Sequence, residues 1–337
     1  MKVLLITSAA PGARKGNRVT ALRWAGHLKS LGHQPRIALS WEGQACEVLV
    51  ALHARKSAAS VARIREQRPD TPVVVALTGT DVYHDLPTSL DAQRTLELAD
   101  RLVVLQPLAV ERLPVGMRAK ARIIFQSAHP ARPSSSEEGI FQVCLLSHLR
   151  GVKDPFLAAA ATRLLPARSR VRVVHLGAAL DTRSAGRARD EMQTNARYQW
   201  LGSRPRSETL SKLAGSRLLL LTSQSEGGAN VISEAIASGV PVLSTRIDGS
   251  VGILGPNYPG YFPVGDAAAL AEQLQRAEDD GQFLSSLMEH IGRLKPLVEP
   301  GRERAAWGEL LRELLPDGTR QPPFRMENKA QARHRRE

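Results

Sequence analysis

The segment 219–245 reads LLLTSQSEGGANVISEAIASGVPVLST and carries the strongest fold signal in the chain. Its apolar start predicts a buried parallel strand, because a short apolar run that ends at turn residues is typical of such strands. The pair Gly227 and Gly228 follows a polar turn. A helical pattern then begins near Asn230 and ends at Gly239, before a second apolar strand. The segment therefore predicts a strand–helix–strand unit with its glycines at the first strand-to-helix turn.

That turn has the properties of an anion site. Glycines leave backbone N–H groups unshielded, and the start of a helix carries the positive end of the helix dipole, so a phosphate is the expected ligand. Glu226 and Glu234 bracket the turn. Because carboxylates repel phosphate, we expect Glu234 to accept hydrogen bonds from a ribose and Glu226 to accept them from a sugar. Taken alone, either glutamate could instead cap the helix or lie in solvent.

The stretch EGGANVISEAIASGVPVLST resembles the C-terminal signature of the retaining glycosyltransferases of the GT4 type. That resemblance implies an α/β protein with the GT-B fold, in which two doubly wound, Rossmann-like domains face a central cleft. It also implies a nucleoside diphosphate sugar donor held mainly by the C-terminal domain. The donor-binding residues that it implies are Gly227, Gly228, Ala229, Asn230, Val231 and Glu234, together with Gly202 and Arg204, which follow the predicted strand YQWLG and lie near the nucleobase in this family.

Length and composition agree with a two-domain α/β enzyme. The 337 residues are enough for two domains with separate cores, and 42% of them are hydrophobic. The apolar runs have the length of strands, so we expect no membrane-spanning helix, and the apolar start of the chain predicts a strand rather than a signal peptide. Cys46 and Cys144 suggest neither a disulfide framework nor a metal site. We expect a cytoplasmic protein.

The net charge of +13 raises the question of nucleic acid as a partner. The excess of arginine is spread along the chain, aromatic residues make up only 4%, and no nucleic-acid-binding motif is present. A solvated basic surface explains most of these charges, and anionic small molecules also need local positive potential. We therefore expect small-molecule substrates, with no nucleic acid and no membrane as partners.

A shift in composition at HPARPSSSEE predicts the domain boundary, because prolines and serines without apolar periodicity are typical of a linker. A helical pattern with Trp307 predicts a last helix that crosses back to the first domain, as in the GT-B fold. The polar, basic end of the chain predicts disorder. The predicted parts are an N-terminal acceptor domain (1–130), a linker (131–139), a C-terminal donor domain (140–300), the crossing helix (301–315) and a disordered basic tail (316–337).

Cations follow the first strand of the second domain, in the motif SHLRGVKDP. In the resembled family an arginine and a lysine at this turn hold the donor pyrophosphate. Here Lys153 matches the lysine, His148 stands at the arginine position, and Arg150 is the natural substitute. With Glu226, these two cations form the predicted catalytic set, which stabilises the diphosphate as it departs. A solvated loop is the alternative. Because no Asp-x-Asp motif lies near the cleft, we expect no metal and no cofactor.

Polar and basic residues follow three predicted strands of the first domain, where doubly wound folds place ligand contacts. The first of these loops bears glycines and precedes a helix, which is a further place for an anion. Many GT4-type enzymes carry a histidine where this chain has Thr78. Each residue could instead cap a helix, pack or lie in solvent. The predicted acceptor-binding residues are Gly12, Arg14, Lys15, Asn17, Arg18, His53, Arg55, Thr78, Thr80 and Asp81.

Five motifs together, GNRVTA, LHARKSA, LTGTDVY, HLRGVKDP and SEGGANVISEA, resemble the selenosugar synthases of selenoneine biosynthesis. That resemblance covers nearly the whole chain. It implies transfer of a sugar from UDP-GlcNAc or UDP-glucose to selenophosphate, which forms a Se–C bond and a 1-seleno-sugar. It further implies a functional link to a selenophosphate-producing enzyme and to a downstream selenoneine synthase. A small trianionic acceptor needs cations rather than a sugar-binding groove, and the basic residues of the first domain supply them.

Three alternatives remain open. An ordinary sugar, lipid or small-molecule acceptor would make the protein a GT4-type glycosyltransferase of the usual kind. A nucleotide-sugar epimerase of the same architecture would turn over a UDP-sugar without an acceptor. A nucleic-acid-binding protein would explain the high charge and would show a steep salt dependence, but it leaves Glu226 and Glu234 without a role.

Overall fold

The computed structural model describes residues 1–12, 16–79 and 81–314. They form two α/β domains, each built on a parallel six-stranded sheet. The predicted fold class is therefore confirmed. The predicted tail, 316–337, lies outside the described residues.

The first domain has the strand order β2-β1-β3-β4-β5-β6. The order reverses between β1 and β3, so the loops that follow these two strands border a crevice, which is where doubly wound folds bind ligands. A π-helical turn, Asp81–Asp85, follows β4, and a 3-10 turn, Val115–Lys120, precedes β6. The elements are β1 (Lys2–Thr7), α1 (Gly16–Ser30), β2 (Gln34–Ala38), β3 (Val48–Leu52), α2 (Ala54–Gln67), β4 (Val73–Leu77), α3 (Leu90–Leu98), β5 (Arg101–Val104), α4 (Leu108–Glu111) and β6 (Ala121–Ile123).

The second domain has the strand order β12-β11-β10-β7-β8-β9, and its order reverses between β7 and β10. Two 3-10 turns, Gly151–Lys153 and Lys295–Val298, follow β7 and the last helix of the domain. The elements are β7 (Phe141–Leu146), α5 (Leu157–Arg163), β8 (Val171–Leu176), α6 (Thr182–Thr194), β9 (Tyr198–Trp200), α7 (Arg206–Ala214), β10 (Leu218–Leu221), α8 (Asn230–Ser238), β11 (Val242–Thr245), α9 (Asp248–Leu254), β12 (Tyr261–Phe262), α10 (Ala267–Asp279) and α11 (Gly281–Leu294).

Apolar residues of the central strands are buried on both faces of the sheet. In β1, Val3 and Leu5 pack into one core of the first domain, whereas Leu4 and Ile6 pack into another on the opposite face. Such a strand has no polar face, because helices cover both sides of a parallel sheet. This burial explains why continuous apolar runs predicted these strands.

The predicted strand–helix–strand unit is confirmed as β10, α8 and β11. Gly239 ends α8 with φ +71°, a left-handed conformation that glycine adopts without a side-chain clash. Helix α1 begins at Gly16, so Asn17 lies within its first turn.

The last helix, α12 (Pro300–Glu313), packs against α1 of the first domain. The ring centroids of Trp307 and Trp24 lie 4.7 Å apart, and both side chains are fully buried. Between β6 and β7, residues 124–140 contain no helix or strand. The domain limits inside this stretch stay a prediction.

Two further features concern the class of protein. No helix in the described ranges is both long and apolar enough to cross a membrane. Cys46 and Cys144 are free and buried, in the cores of different domains.

Candidate active site

The turn between β10 and α8 presents unpaired backbone donors. No side chain caps α8, and its first turn contains no acidic residue. None of the backbone N–H groups from Gly227 to Val231 donates a hydrogen bond to another residue that the structure describes. Because polar groups that folding removes from water normally have partners, these donors need a ligand, and a helix start favours an anionic one.

Both glycines of this turn lie against the first domain. A Cβ atom on Gly227 would lie 2.7 Å from the backbone nitrogen of Gly79, and one on Gly228 would lie 2.6 Å from the Cβ atom of Leu105. Side chains at these positions would push the domains apart. The glycines therefore permit close approach of the two domains, besides exposing the N–H groups of the turn.

Lys153 and Glu226 form an ion pair at the same end of the sheet. The ammonium group of Lys153 bonds to Oε1 of Glu226, which also accepts a hydrogen bond of 2.7 Å from the Ser223 hydroxyl. An ammonium has three N–H donors, so Lys153 keeps two for a ligand. Oε2 of Glu226 has no partner among the described residues. The sequence predicted both residues but not their pairing.

Hydrogen bonds join the turn after β7 to the turn after β10. The Thr222 hydroxyl donates to the carbonyl oxygen of Lys153 at 2.8 Å, and the N–H of Gln224 donates to that of Val152 at 2.9 Å. Arg150 directly precedes the 3-10 turn, is exposed, and forms no ion pair with another described residue. The predicted cations of the second domain are thus held beside the glycine turn, at the point where the strand order reverses.

Gly177 and His175, which the sequence did not single out, contact the segment directly after β7. A Cβ atom on Gly177 would lie 1.7 Å from the carbonyl oxygen of Ser147, so only glycine fits there. His175 bonds to the Tyr198 hydroxyl at 2.7 Å and to the Ser147 carbonyl at 2.8 Å. Burial lowers the pKa of His175 to about 4, so its ring is neutral near pH 7. No motif marked these residues, because their partners are distant in sequence.

Glu234 is held by Arg206. The Arg206 guanidinium donates to Oε1 of Glu234 at 2.6 Å, and the Glu234 side chain is only 6% exposed. Oε2 of Glu234 has no partner in the described part of the chain. The carboxylate therefore keeps one oxygen for a ligand hydroxyl, as the predicted ribose contact requires.

The two residues predicted near the nucleobase follow β9. Gly202 has φ +70°, and its carbonyl oxygen accepts a hydrogen bond of 2.9 Å from the N–H of Gly177. Arg204 is exposed and lies 3.6 Å from a carboxylate oxygen of Glu208. Both residues stay candidates for donor contacts.

The side chain of Asn230, a predicted donor-binding residue, points toward the first domain. Its Oδ1 accepts a hydrogen bond of 2.8 Å from the Arg23 guanidinium. Its Nδ2 lies 3.5 Å from the Thr20 hydroxyl. The amide of Gln126, oriented to satisfy its neighbours, donates to Asn230 and to the carbonyl oxygen of Gly228, both at 3.0 Å. Only the backbone of Asn230 remains available to a donor.

Two of the predicted acceptor residues meet at the cleft. The Thr78 hydroxyl donates to Oδ1 of Asn17 at 2.9 Å, which joins the end of β4 to the start of α1. Arg18 follows in α1, and its buried Nε atom has no hydrogen-bond partner among the described residues. Gly12 takes a left-handed conformation with φ +79° and is exposed. Arg14, Lys15 and Thr80, also predicted for the acceptor, lie outside the described residues.

His53 and Asp81, both predicted to bind the acceptor, are buried beside the crevice. Asp81 has no exposed surface, and its carboxylate accepts hydrogen bonds from the N–H groups of Gly79 and Ala54. His53 is 3% exposed, and its Nδ1 accepts from the N–H of Lys56 at 3.5 Å. Burial lowers the pKa of His53 and raises the pKa of Asp81, each partly opposed by the other group. Both side chains order the loops around the crevice.

Arg55 pairs with Asp85, with 3.0 Å between its Nε and Oδ1 of the carboxylate. Half of the Arg55 side chain is exposed. Its charge is therefore partly neutralised within the first domain, although it was predicted to serve the acceptor. In the described ranges, no group of three or more His, Cys, Asp or Glu residues is placed to hold a metal ion.

Comparisons with known proteins agree with this architecture. The family model "Glycosyl transferases group 1" matches residues 131–293, which include Arg150, Lys153, Glu226 and Glu234. A comparison with curated protein sequences found no match.

Most of the chain is similar in fold to several solved structures. HepE of Anabaena, solved with UDP-glucose, has 15% sequence identity and a TM-score of 0.74, over 93% of this chain and 100% of HepE. Sucrose-phosphate synthase of Thermosynechococcus elongatus has 16% identity and a TM-score of 0.76, over 93% and 98%. A glycosyltransferase of Rickettsia africae has 15% identity and a TM-score of 0.76, over 94% and 99%. The chain has the GT-B fold, and its second domain contains a glycosyl transferases group 1 region.

Proposed function

We propose that the protein is a glycosyltransferase that uses a UDP-sugar as its donor. One observation carries this proposal: the unpaired N–H groups of 227–231, at an uncapped helix start, lie beside the ion pair of Lys153 and Glu226. Backbone N–H groups that can bind a diphosphate therefore lie beside a carboxylate that can accept hydrogen bonds from sugar hydroxyls. A nucleotide sugar requires both kinds of group. The group 1 match and the fold shared with HepE, which was solved with UDP-glucose, support the same conclusion.

In this proposal the diphosphate lies at the start of α8. The N–H groups of 227–231 and the ammonium of Lys153 bind its oxygens, and Arg150 adds charge from the same turn. Oε2 of Glu234 accepts a hydrogen bond from the ribose, and Oε2 of Glu226 accepts one from the transferred sugar. Gly202 and Arg204 lie toward the base.

Catalysis then consists mainly of stabilising the leaving group. As the bond to the anomeric carbon breaks, negative charge grows on the diphosphate. Fixed N–H dipoles and the Lys153 ammonium are already aimed at that charge, so they lower the barrier without reorganising. Glu226 is a positioning residue for Lys153, because its carboxylate holds the ammonium in place.

For the acceptor we propose selenophosphate. The resemblance of the five motifs to those of selenosugar synthases supports this choice, and so do the cations of the first domain, Arg18 and Lys56 among them. The selenium atom forms a bond to the anomeric carbon, while the bond between that carbon and the diphosphate oxygen breaks and UDP leaves with the electron pair. Water then cleaves the P–Se bond, which releases inorganic phosphate and the 1-seleno-sugar. A selenophosphate-producing enzyme would supply the acceptor, and a selenoneine synthase would consume the product.

Release of UDP from UDP-GlcNAc and from UDP-glucose, with and without selenophosphate, tests the proposal. Inorganic phosphate in place of selenophosphate is the control. We expect UDP release that depends on selenophosphate and a product that carries the selenium isotope pattern in mass spectra. UDP-sugar turnover that ignores selenophosphate but responds to an ordinary sugar or lipid would refute the selenium acceptor and retain the glycosyltransferase.

A further inference from the structure

Lys56 is a cation without a partner at the edge of the crevice. It is the third residue of α2, directly after the carboxyl end of β3, and its ammonium pairs with no described residue. Its neighbour Arg55 differs, because Asp85 partly neutralises that guanidinium. Only one of the two adjacent cations is therefore free to bind a ligand.

Contacts between the domains bring the turn that contains Arg150 close to the start of α2. Gly227, next to the ion pair of the β7 turn, abuts Gly79, and Asp81 joins the Gly79 loop to the start of α2. Burial lowers the pKa of Lys56, and the positive charge of Arg150 lowers it further. Two cations from opposite domains thus act on one another.

The two acids that act on Lys56 in the described structure are already engaged by other groups. Asp81 and Asp85 also act on Lys56, but Asp81 is bound by backbone N–H groups and Asp85 is paired with Arg55. Two facing cations repel each other, and a multiply charged anion between them removes that cost. The site therefore suits a dianionic or trianionic group.

The backbone N–H groups at the start of α2 are not available to bind an anion. The N–H of Ala54 donates to Asp81, and that of Lys56 donates to His53. The side chains must then hold the anion, in contrast to the start of α8, where backbone donors are unpaired. The two anion sites are therefore chemically distinct.

We propose that Lys56 and Arg150 form a clamp that binds the phosphate group of the acceptor and closes only when the two domains are together. This inference rests on the proposed function, since it takes the acceptor to carry a phosphate. Lys56 contacts the acceptor, whereas Arg150 lies between the acceptor phosphate and the departing diphosphate. The clamp thus makes a phosphate-bearing acceptor preferable to a neutral sugar.

Binding of thiophosphate, in the presence of UDP, tests the clamp in the full chain. We expect Lys56→Gln to weaken thiophosphate binding about tenfold and to leave the Kd of UDP within twofold, because one charge-assisted contact is lost on the acceptor side. Lys56→Arg should bind thiophosphate within about threefold of wild type. Thermal unfolding of each variant separates lost binding from lost folding.

Lys29→Gln is the matched control. Lys29 is exposed in the last turn of α1, roughly 20 Å along that helix from the crevice, so its loss should change neither affinity. Unchanged thiophosphate binding in folded Lys56→Gln, or an equal loss of UDP binding, would overturn the clamp. If wild type binds thiophosphate through Lys56 but does not transfer sugar to selenophosphate, the clamp stands and the proposed acceptor is wrong.

Discussion

At the scale of single residues, the two carboxylates of the candidate site share one arrangement. Glu226 binds Lys153 through one oxygen, and Glu234 binds Arg206 through one oxygen. The second oxygen of each has no partner in the described ranges. A nearby cation orients each carboxylate, while the free oxygen can accept a hydrogen bond from a hydroxyl.

Glu234→Gln should weaken UDP binding about tenfold, because a charge-assisted bond to the ribose becomes a neutral one and Arg206 loses its counterion. Isothermal titration of UDP measures this change. Glu289→Gln, an exposed change on α11, is the control and should bind as wild type does. An unchanged Kd in Glu234→Gln would exclude the ribose contact.

At the scale of elements, a buried carboxylate of α12 binds several groups of the first domain. Glu303 is 1% exposed and accepts hydrogen bonds from Arg23, Trp24, His27 and Ser127. Burial alone would raise the pKa of Glu303, but the bond from His27, the charge of Arg23 and the bonds from Ser127 lower it to about 2. Arg23 also bonds to Asn230, so the same group of side chains reaches the start of α8.

Acid should weaken this attachment. The folded-state pKa of Glu303 lies below that of an unfolded glutamate, so its stabilisation is complete above about pH 4.5 and is lost as the pH falls toward 2. Chemical unfolding of wild type and Glu303→Gln between pH 7 and pH 2 should show about 3 kcal/mol of extra acid sensitivity in wild type. Parallel pH profiles for the two proteins would contradict this role.

The elements were easier to predict than the contacts between them. The strands β1, β4 and β10 stood out because strands buried on both faces are continuous apolar runs. The glycine turn could be predicted because its residues are adjacent in sequence. The pairs of Lys153 with Glu226 and of Arg23 with Asn230 join residues 73 and 207 positions apart, and no local pattern encodes them. Burial of Asp81 was missed for the same reason, since its donors come from two loops.

At the scale of the whole molecule, the two domains touch along the crevice. Asp248 of α9 accepts a hydrogen bond of 2.7 Å from Arg112, which follows α4. A Cβ atom on Gly252 would lie 1.9 Å from Oε1 of Gln106. Together with the contact of Gly227 and Gly79, these contacts bring the first domain against the second.

Gly227→Ala should hold the domains apart, because its methyl group would overlap the backbone of Gly79. A displacement of this kind costs on the order of 100-fold in kcat/KM, since the reacting groups lose their alignment. Steady-state kinetics and small-angle scattering measure the loss and the opening. Gly186→Ala on α6, where a Cβ atom meets nothing within 4 Å, is the control. A Gly227→Ala variant as active as wild type would show that this contact is unimportant.

The central claim is that a diphosphate binds between the start of α8 and Lys153. Titration of UDP and of uridine onto wild type and Lys153→Gln tests it most directly. We predict that wild type binds one UDP per chain, that Lys153→Gln binds UDP about tenfold more weakly, and that uridine binding is the same in both. No binding of UDP to wild type, or equal affinity for UDP in the two proteins, would contradict the account.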